Sequence, residues 1–445
     1  CGSSWRKCRV LELLEVLEVL EIDRIQNIQN IQNIQNIQNI QNIQNIQNIQ
    51  SIQKNIMKTI GLDLGTSALK GVLFDGEKIV AEGAREVTFI RDGEKVEIAP
   101  QAHWADCLSL IRELAAASDE PVAALAMAAA SGNTLVAAPD GTPKTNIISW
   151  LDKRPSPIAP IDLHELVGWP WNGGFPLVHC AWFKANCPEV FGNSGQLFMN
   201  NDWLAFLLCG KRGLDHSSAT PFFLQDQAKG EYAPSLLAAA GVSASQLSPL
   251  YPPGTAIGTL TPELAGGNLT EKTVIATGSF DHPSAARAVH VTKPGEVLVS
   301  CGTSWVGFTP IPERRVRKGY LCDPFLSSRG GPWGEIFSIA RIGLSLEETI
   351  VRLAGKGDDR YKLFNEMALT EDGEARKTML ETIDKFKARL EGRPRRLVMV
   401  GGPSEGAGWR HFLAERLELE VEASPFAKQA GAVGAAMLAA QSINN

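Results

Sequence analysis

The sequence predicts an α/β protein of two related lobes, each a mixed β-sheet flanked by helices, with a ligand cleft between them. Three observations carry this. A strand–turn–strand unit built on Gly-Thr-Ser occurs twice, at Gly65-Thr66-Ser67 and Gly302-Thr303-Ser304. After Met57, short apolar runs bounded by Gly, Pro and Asp alternate with helical stretches, the pattern of layered α/β folds. The chain has 445 residues, enough for two ordinary domains. Internal repetition implies two similar halves, and the cleft between halves is where ligands bind.

The first 56 residues read differently. Residues 10–22 place Glu at every third position among Val, Leu and Ile, and residues 25–50 repeat Ile-Gln-Asn without a break. A period of three matches neither a helix seam nor a strand, so the isoleucines spread around a helix and build no continuous stripe. The segment reads as a translated nucleotide repeat upstream of Met57, outside the fold. An assembly or coiled-coil segment is the other reading. Its apolar and Asn/Gln content is an aggregation hazard.

From Met57 the elements follow in order. Residues 59–62 form a short strand, 69–74 a second and 80–87 a third, making a meander. A helix is expected at 103–117 and a buried strand at 122–127. The second half reopens with a strand at 295–301, the second Gly-Thr-Ser turn, and a returning strand at 305–308. Such a turn gathers backbone N–H and side-chain O–H groups around one spot, an anion-binding concavity. Either copy alone would also suit a plain surface hairpin. Asp63, two residues before the first turn, is placed to hold Mg²⁺ through water beside a bound phosphate. Neither a P-loop nor a Gly-x-Gly-x-x-Gly fingerprint is present.

Two further strand ends carry candidates. Residues 397–400 run into Gly401-Gly402-Pro403, where absent side chains let a flat ring lie against the backbone; this reads as an adenosine site or a plain strand-to-helix connector. Residues 273–276 run into Gly278-Ser279-Phe280-Asp281-His282-Pro283, with a helix of small residues expected at 284–288. Asp281 is either the N-cap of that helix or a general base, which contributes on the order of 10²–10⁴-fold in rate. His282 reads as its hydrogen-bond partner.

Bulk composition narrows the field. Hydrophobic residues make up 44% and charged residues 21%, and the formal net charge is −6. That offers no basic face for nucleic acid or an anionic membrane. The eight cysteines show no Cys-x-x-Cys spacing, so no zinc or redox motif is indicated; they read as reduced thiols of a cytosolic protein. No apolar run reaches 18 residues, so no spanning helix is expected.

These motifs together resemble the FGGY family of carbohydrate kinases. Ile60-Gly61-Leu62-Asp63-Leu64-Gly65-Thr66-Ser67 with Lys70 is similar to the family's first phosphate motif. Trp150-Leu151-Asp152-Lys153-Arg154 resembles its Trp-x-Asp-x-Arg sugar-side motif, and Asn201-Asp202-Trp203-Leu204 its Asp-Tyr-Leu segment. Asp281 falls where the family keeps its catalytic aspartate. Residues 300–304 resemble the second phosphate motif, Gly401-Gly402 the adenosine motif, and residues 431–440 the closing small-residue helix.

The resemblance implies a two-lobed, actin-like ATPase (ribonuclease H-like) fold, with lobes at 57–287 and 288–445 and ATP between them. It implies transfer of the γ-phosphate of ATP to a sugar hydroxyl, with Mg²⁺. Asp281 would be the base and Asp63 the magnesium residue. Gly65, Thr66, Ser67, Lys70, Gly302, Thr303 and Ser304 would hold phosphates, and Gly401 and Gly402 adenosine. Ser131, Gly132, Asn133, Trp150, Asp152, Arg154 and His282 would line or support the sugar pocket. The implied partner is a small sugar, with a homodimer left open. Two features depart from the family. Ser131-Gly132-Asn133 stands where xylulokinases carry Met-His-Gly, which leaves the sugar open. The stretch between Trp305 and Gly401 is short. A non-catalytic, ATP-binding sugar sensor is the rival reading.

Overall fold

The structure is a computed structural model. It describes Gln26 and residues 57–445, apart from Ser131, Gly174, Asn193, Ser194 and Asn445. The expectation for the period-three segment falls outside the described residues. The chain divides into the units Cys1–Ile56 and Met57–Asn445, and the second is described below.

The first half opens with β1 (Thr59–Leu64), β2 (Ala68–Phe74) and β3 (Ile79–Glu86). Helix α1 (Pro100–Ala116) and β4 (Ala124–Ala129) follow. β5 (Ala256–Thr259), β6 (Val274–Ala276) and the short β7 (Ser279–Phe280) complete the sheet. Its order is β5-β6-β4-β1-β2-β3, with β7 also paired to β4. β1 runs antiparallel to β2 and parallel to β4. The central β1 is buried along nearly its whole length, as a strand covered on both faces must be. β3, at the edge, alternates half-buried and exposed residues. Pro100 opens α1 at its first turn, where the missing N–H costs nothing. The helix packs with His103, Cys107, Leu110, Ile111 and Leu114 buried along one stripe.

The second half repeats the plan. β8 (Glu296–Cys301), β9 (Trp305–Ile311), β10 (Leu321–Asp323), β11 (Trp333–Ile339), β12 (Arg396–Gly401) and β13 (Val421–Ala423) form a sheet in the order β10-β11-β9-β8-β12-β13. β8 is antiparallel to β9 and parallel to β12, as β1 is to β2 and β4. The repeat expected from two Gly-Thr-Ser turns is therefore a repeat of topology. The helices α3 (Ile342–Ala354), α4 (Arg360–Thr370), α5 (Glu374–Lys387) and α6 (Ala407–Leu417) cover the outer face of this sheet.

Two helices lie between the sheets: α2 (Asp281–Ala288) and α7 (Ala430–Ser442). One apolar core runs from Val72 and Phe74 through Ala286, Val433 and Ala436 to Leu298 and Val400. α7 is buried nearly all round, as a helix clasped on several sides must be. It touches β1 and α2 directly. Thr59 Oγ1 donates to Ala436 O (3.1 Å) and Ser284 Oγ to Gly431 O (2.9 Å). A Cβ at Gly61 would sit 1.9 Å from Ala432 O, and one at Gly434 would sit 1.9 Å from Ser284 O.

α2 differs from expectation at its start. It begins at Asp281, not at residue 284. Pro283 falls in its first turn, where a proline costs no hydrogen bond. Asp281 is thus inside the helix. The N-cap position is Phe280 and no side-chain cap bond forms, which removes the capping reading of Asp281.

A separate five-stranded sheet is ordered Ile90–Asp92, Lys95–Ile98, Ile147–Ile148, Thr134–Ala137, Gln196–Met199. It carries the sugar-side segments at its ends. Among the described residues no helix is long and apolar enough to cross a membrane, and the six described cysteines are free thiols.

The close approach of α7 makes a prediction. Gly61→Ala should cost about 1–3 kcal/mol and lower the melting temperature by several degrees. Gly266→Ala, where an added Cβ meets nothing within 4 Å, should leave it unchanged. Equal melting of the two variants would contradict the packing described.

Candidate functional site

The second-lobe strands set the site's floor. β8 and β12 are parallel with Cys301 opposite Gly401, so their glycine turns leave the sheet side by side. Gly401 has φ of +91°, and a Cβ there would lie 2.1 Å from Cys301 O. Only glycine fits both demands. Gly402 is exposed, with open space where its Cβ would be.

Above these turns lies a cavity of about 270 Å³ lined by Asp63, Lys70, Asp281, His282, Gly302, Gly401, Gly402, Lys428 and Gly431, among others. Asp63 stands opposite Lys70 in the β1–β2 ladder. Its Oδ1 is buried without a partner, and its Oδ2 lies against α7, where a Cβ on Gly431 would sit 2.7 Å away. Burial pushes the Asp63 carboxyl up to about 6; the Asp281 charge adds to this and Lys70 opposes it. Lys70 Nζ donates to Lys428 O at 3.0 Å. Asp281 enters from the first turn of α2. Its Oδ1 accepts the His282 amide at 2.7 Å, and about a quarter of its side chain stays accessible. Burial raises its pKa as well, against the opposing His282 charge and amide. The ring of His282 packs edge-on against Phe280, and its Nε2 lies 3.8 Å from Asp281 Oδ1.

A second cavity of about 950 Å³ adjoins the first. Leu346, Ile350, Tyr361, Asn365 and Trp409 help to wall it. Cys301, Gly302, Gly402 and Lys428 line both cavities. The larger space is broad and apolar-walled; the smaller holds two carboxylates and two lysines. A molecule with a flat apolar end and a charged end fits that polarity.

The structure sorts most of the expected site residues into three groups. Asp63, Lys70, Asp281, His282, Gly302, Gly401 and Gly402 share the smaller cavity, and Thr303 lines the larger. Thr66, Gly132, Asn133 and Trp150 form a second cluster. Trp150 Nε1 donates to Thr66 Oγ1 and Trp150 N to Asn133 Oδ1, both at 3.0 Å, while Gly132 packs beside Phe175 and Trp150. Trp150 keeps 37% of its surface exposed, whereas Trp169 is buried between Phe175 and Phe280. Ser131 lies outside the described residues. Gly65 and Ser67 line neither cavity, and Ser304 Oγ accepts Arg341 N at 3.1 Å.

The third group is a buried ion pair. Asp152 accepts from Arg154 N and Nε through Oδ1, and from Val96 N and Arg154 Nη2 through Oδ2. Arg154 also reaches Glu97 and lies 4.5 Å from the Trp182 ring centroid. Burial works to raise the Asp152 pKa, but the Arg154 and Val96 hydrogen bonds hold it below the usual carboxylate value. With both oxygens taken, this pair suits support of the Trp150 loop, not contact with a ligand.

Sequence reasoning passed over Lys428 and Glu405, and read Gly431 only as the start of the closing small-residue helix. Gly431 and Gly434, three residues apart on one helix face, were a usable signal of close packing. Lys428 had none, because its neighbours in space come from distant elements.

Two sheets of one topology, with glycine turns converging on a shared cavity, define the actin-like ATPase fold. Solved structures agree. The xylulose kinase of Rhodospirillum rubrum matches with a TM-score of 0.76 at 20% identity, over 86% of this chain and 89% of that one. The glycerol kinase of Plasmodium falciparum, solved with ADP, matches with a TM-score of 0.75 at 16% identity, over 87% and 90%. The chain belongs to the FGGY family of carbohydrate kinases: the model of that family's N-terminal domain matches residues 57–287. Among curated proteins it is similar to the autoinducer-2 kinase of Yersinia enterocolitica, 27% identical over 294 residues, or 61% of this chain and 54% of that one. It is also similar to the xylulose kinase of Bacillus subtilis, 25% identical over 261 residues, or 56% and 52%. The matched stretch spans about half the length of these relatives.

The raised pKa of Asp63 has a testable sign. Its carboxyl binds a proton more tightly folded than unfolded, so the stability it contributes is present below about pH 4 and lost as pH rises through about 6. Asp63→Asn should therefore melt higher than wild type at pH 7.5, by on the order of 2 kcal/mol, and the gap should close at pH 4. A gap independent of pH would refute the assignment.

Proposed function

We propose that the protein transfers the γ-phosphate of ATP to a hydroxyl of a ketose or polyol, with Asp281 as general base. The observation that carries this is the meeting of Asp281 and Asp63 in one cavity, beside paired glycine turns that open into a larger apolar-walled space.

ATP would lie with its adenosine in the larger cavity, against Gly402, and its phosphates past Gly302 towards Asp281. One oxygen of Asp281 is engaged by the His282 amide, which leaves the other to take the proton of the attacking hydroxyl. The raised pKa suits a proton acceptor. Phosphoryl transfer otherwise depends on alignment and on neutralising charge. The partnerless, buried Asp63 Oδ1 fits a magnesium ion held through water. Bound there, the ion would neutralise charge on the transferring phosphate. Asp63 would orient its water shell, and Lys70 would balance the local charge.

The acceptor would lie on the side of Trp150, whose exposed ring can cover the apolar face of a sugar. The hydrogen bond to Thr66 ties that ring to the first glycine turn. The names of the relatives point to autoinducer-2 and to xylulose as first acceptors to try. Asn133, standing where xylulokinases carry part of Met-His-Gly, favours an acceptor other than xylulose. In this reading residues 57–287 supply the sugar and phosphate side, and residues 288–445 the nucleotide side. The resemblance also carries a cytosolic location.

The test is a panel of ketoses, polyols and autoinducer-2 with MgATP. At least one should be phosphorylated. Asp281→Asn should lose about 10²–10⁴-fold in kcat while binding ATP as wild type does. Normal turnover by that variant would remove Asp281 from the role of base. ATP binding with no acceptor turned over would favour the sensor reading.

A further inference from the structure

We propose that Lys428 is a phosphate-binding residue, paired with Glu405 and transferred to the polyphosphate when nucleotide binds. This rests on the reading of the two cavities as an ATP site and names a residue within it.

The argument starts from the junction. Cys301, Gly302, Gly402 and Lys428 line both cavities. A nucleotide with its base in the larger cavity and its terminal phosphate near Asp281 must run its phosphates past these four residues. Cys301 is buried and the two glycines have no side chain. Lys428 is therefore the cation at the crossing. Its position is fixed from behind: Lys70 Nζ donates to its carbonyl, and the neighbouring Ala427 carbonyl accepts Gly401 N at 3.0 Å. Lys70, by contrast, has its ammonium committed to that carbonyl and set beside Asp63.

The ammonium of Lys428 has a movable partner. It lies 3.1 Å from Glu405 Oε1, with the two side chains 61% and 57% exposed. An ion pair that open contributes little to stability. A polyphosphate offers a denser negative charge at the same place, so exchange is favoured. Glu405, which also lines the larger cavity, is then released next to the phosphates and repels them. The pair acts as a counterweight: Lys428 draws the nucleotide in, and Glu405 moderates its affinity so that product can leave.

Calorimetric titration of the full chain with MgATP and separately with adenosine tests this. Lys428→Met should weaken MgATP about tenfold, the loss of one charge-assisted hydrogen bond, and leave adenosine unchanged. Lys428→Arg should retain most of the MgATP affinity. Glu405→Gln should tighten MgATP severalfold without affecting adenosine. Thermal melting confirms that each variant is folded. Unchanged MgATP affinity in Lys428→Met, or an equal loss for adenosine, would overturn the proposal while leaving the ATP site intact. Failure of wild type to bind MgATP would overturn both.

Discussion

The approach of α7 to β1 and α2 is the constraint on which the site depends. A backbone carbonyl of α7 lies 1.9 Å from where a Gly61 Cβ would be, and a carbonyl of α2 lies as close to a Cβ on Gly434. Such distances leave no room for side chains, so three backbones pack directly on one another. Asp63 sits near the end of β1 and Asp281 at the start of α2. The last helix of the chain thus sets the separation of two carboxylates more than 200 positions apart in sequence. Gly431 extends the arrangement by giving the Asp63 carboxylate its place against the same helix.

That packing forces an electrostatic situation. Two carboxylates face one small cavity, and burial and mutual repulsion raise the pKa of Asp63. The protein offsets this only in part, through Lys70 and the His282 amide. The residual repulsion destabilises the folded protein, and a cation beside the two carboxylates would relieve it. Raised pKa values of this kind cluster where charge is to be moved. The Asp152–Arg154 pair is the contrast, because both Asp152 oxygens are hydrogen-bonded and the Asp152 pKa goes the other way.

Much of the fold was legible because local patterns agreed with it. Buried strands read as apolar runs, and the two Gly-Thr-Ser turns marked equivalent hairpins in two sheets of one topology. Asp281 was legible as a candidate from its place between a strand and a run of small residues. Its exact setting was not, since the helix expected from residue 284 begins at Asp281, with Pro283 in its first turn. Asp152 and Arg154 were legible as a motif, but spacing could not show that Arg154 and the Val96 amide would take up both Asp152 oxygens. Lys428 was invisible because nothing beside it in the chain marks it.

By itself, then, the sequence determined the hairpins, the glycine turns and the placing of Asp63 and Asp281 beside strand ends, since these depend on residues a few positions apart. The tertiary structure alone decided which candidates meet. It put Asp63, Asp281 and the turns at Gly302 and Gly402 around one cavity, turned Asp152 and Arg154 inward, and left the first Gly-Thr-Ser turn tied to Trp150 outside both cavities. The physical reason is that these groupings are set by sheet register and by backbone contact through α7. Both join positions hundreds of residues apart, where no local pattern can record them.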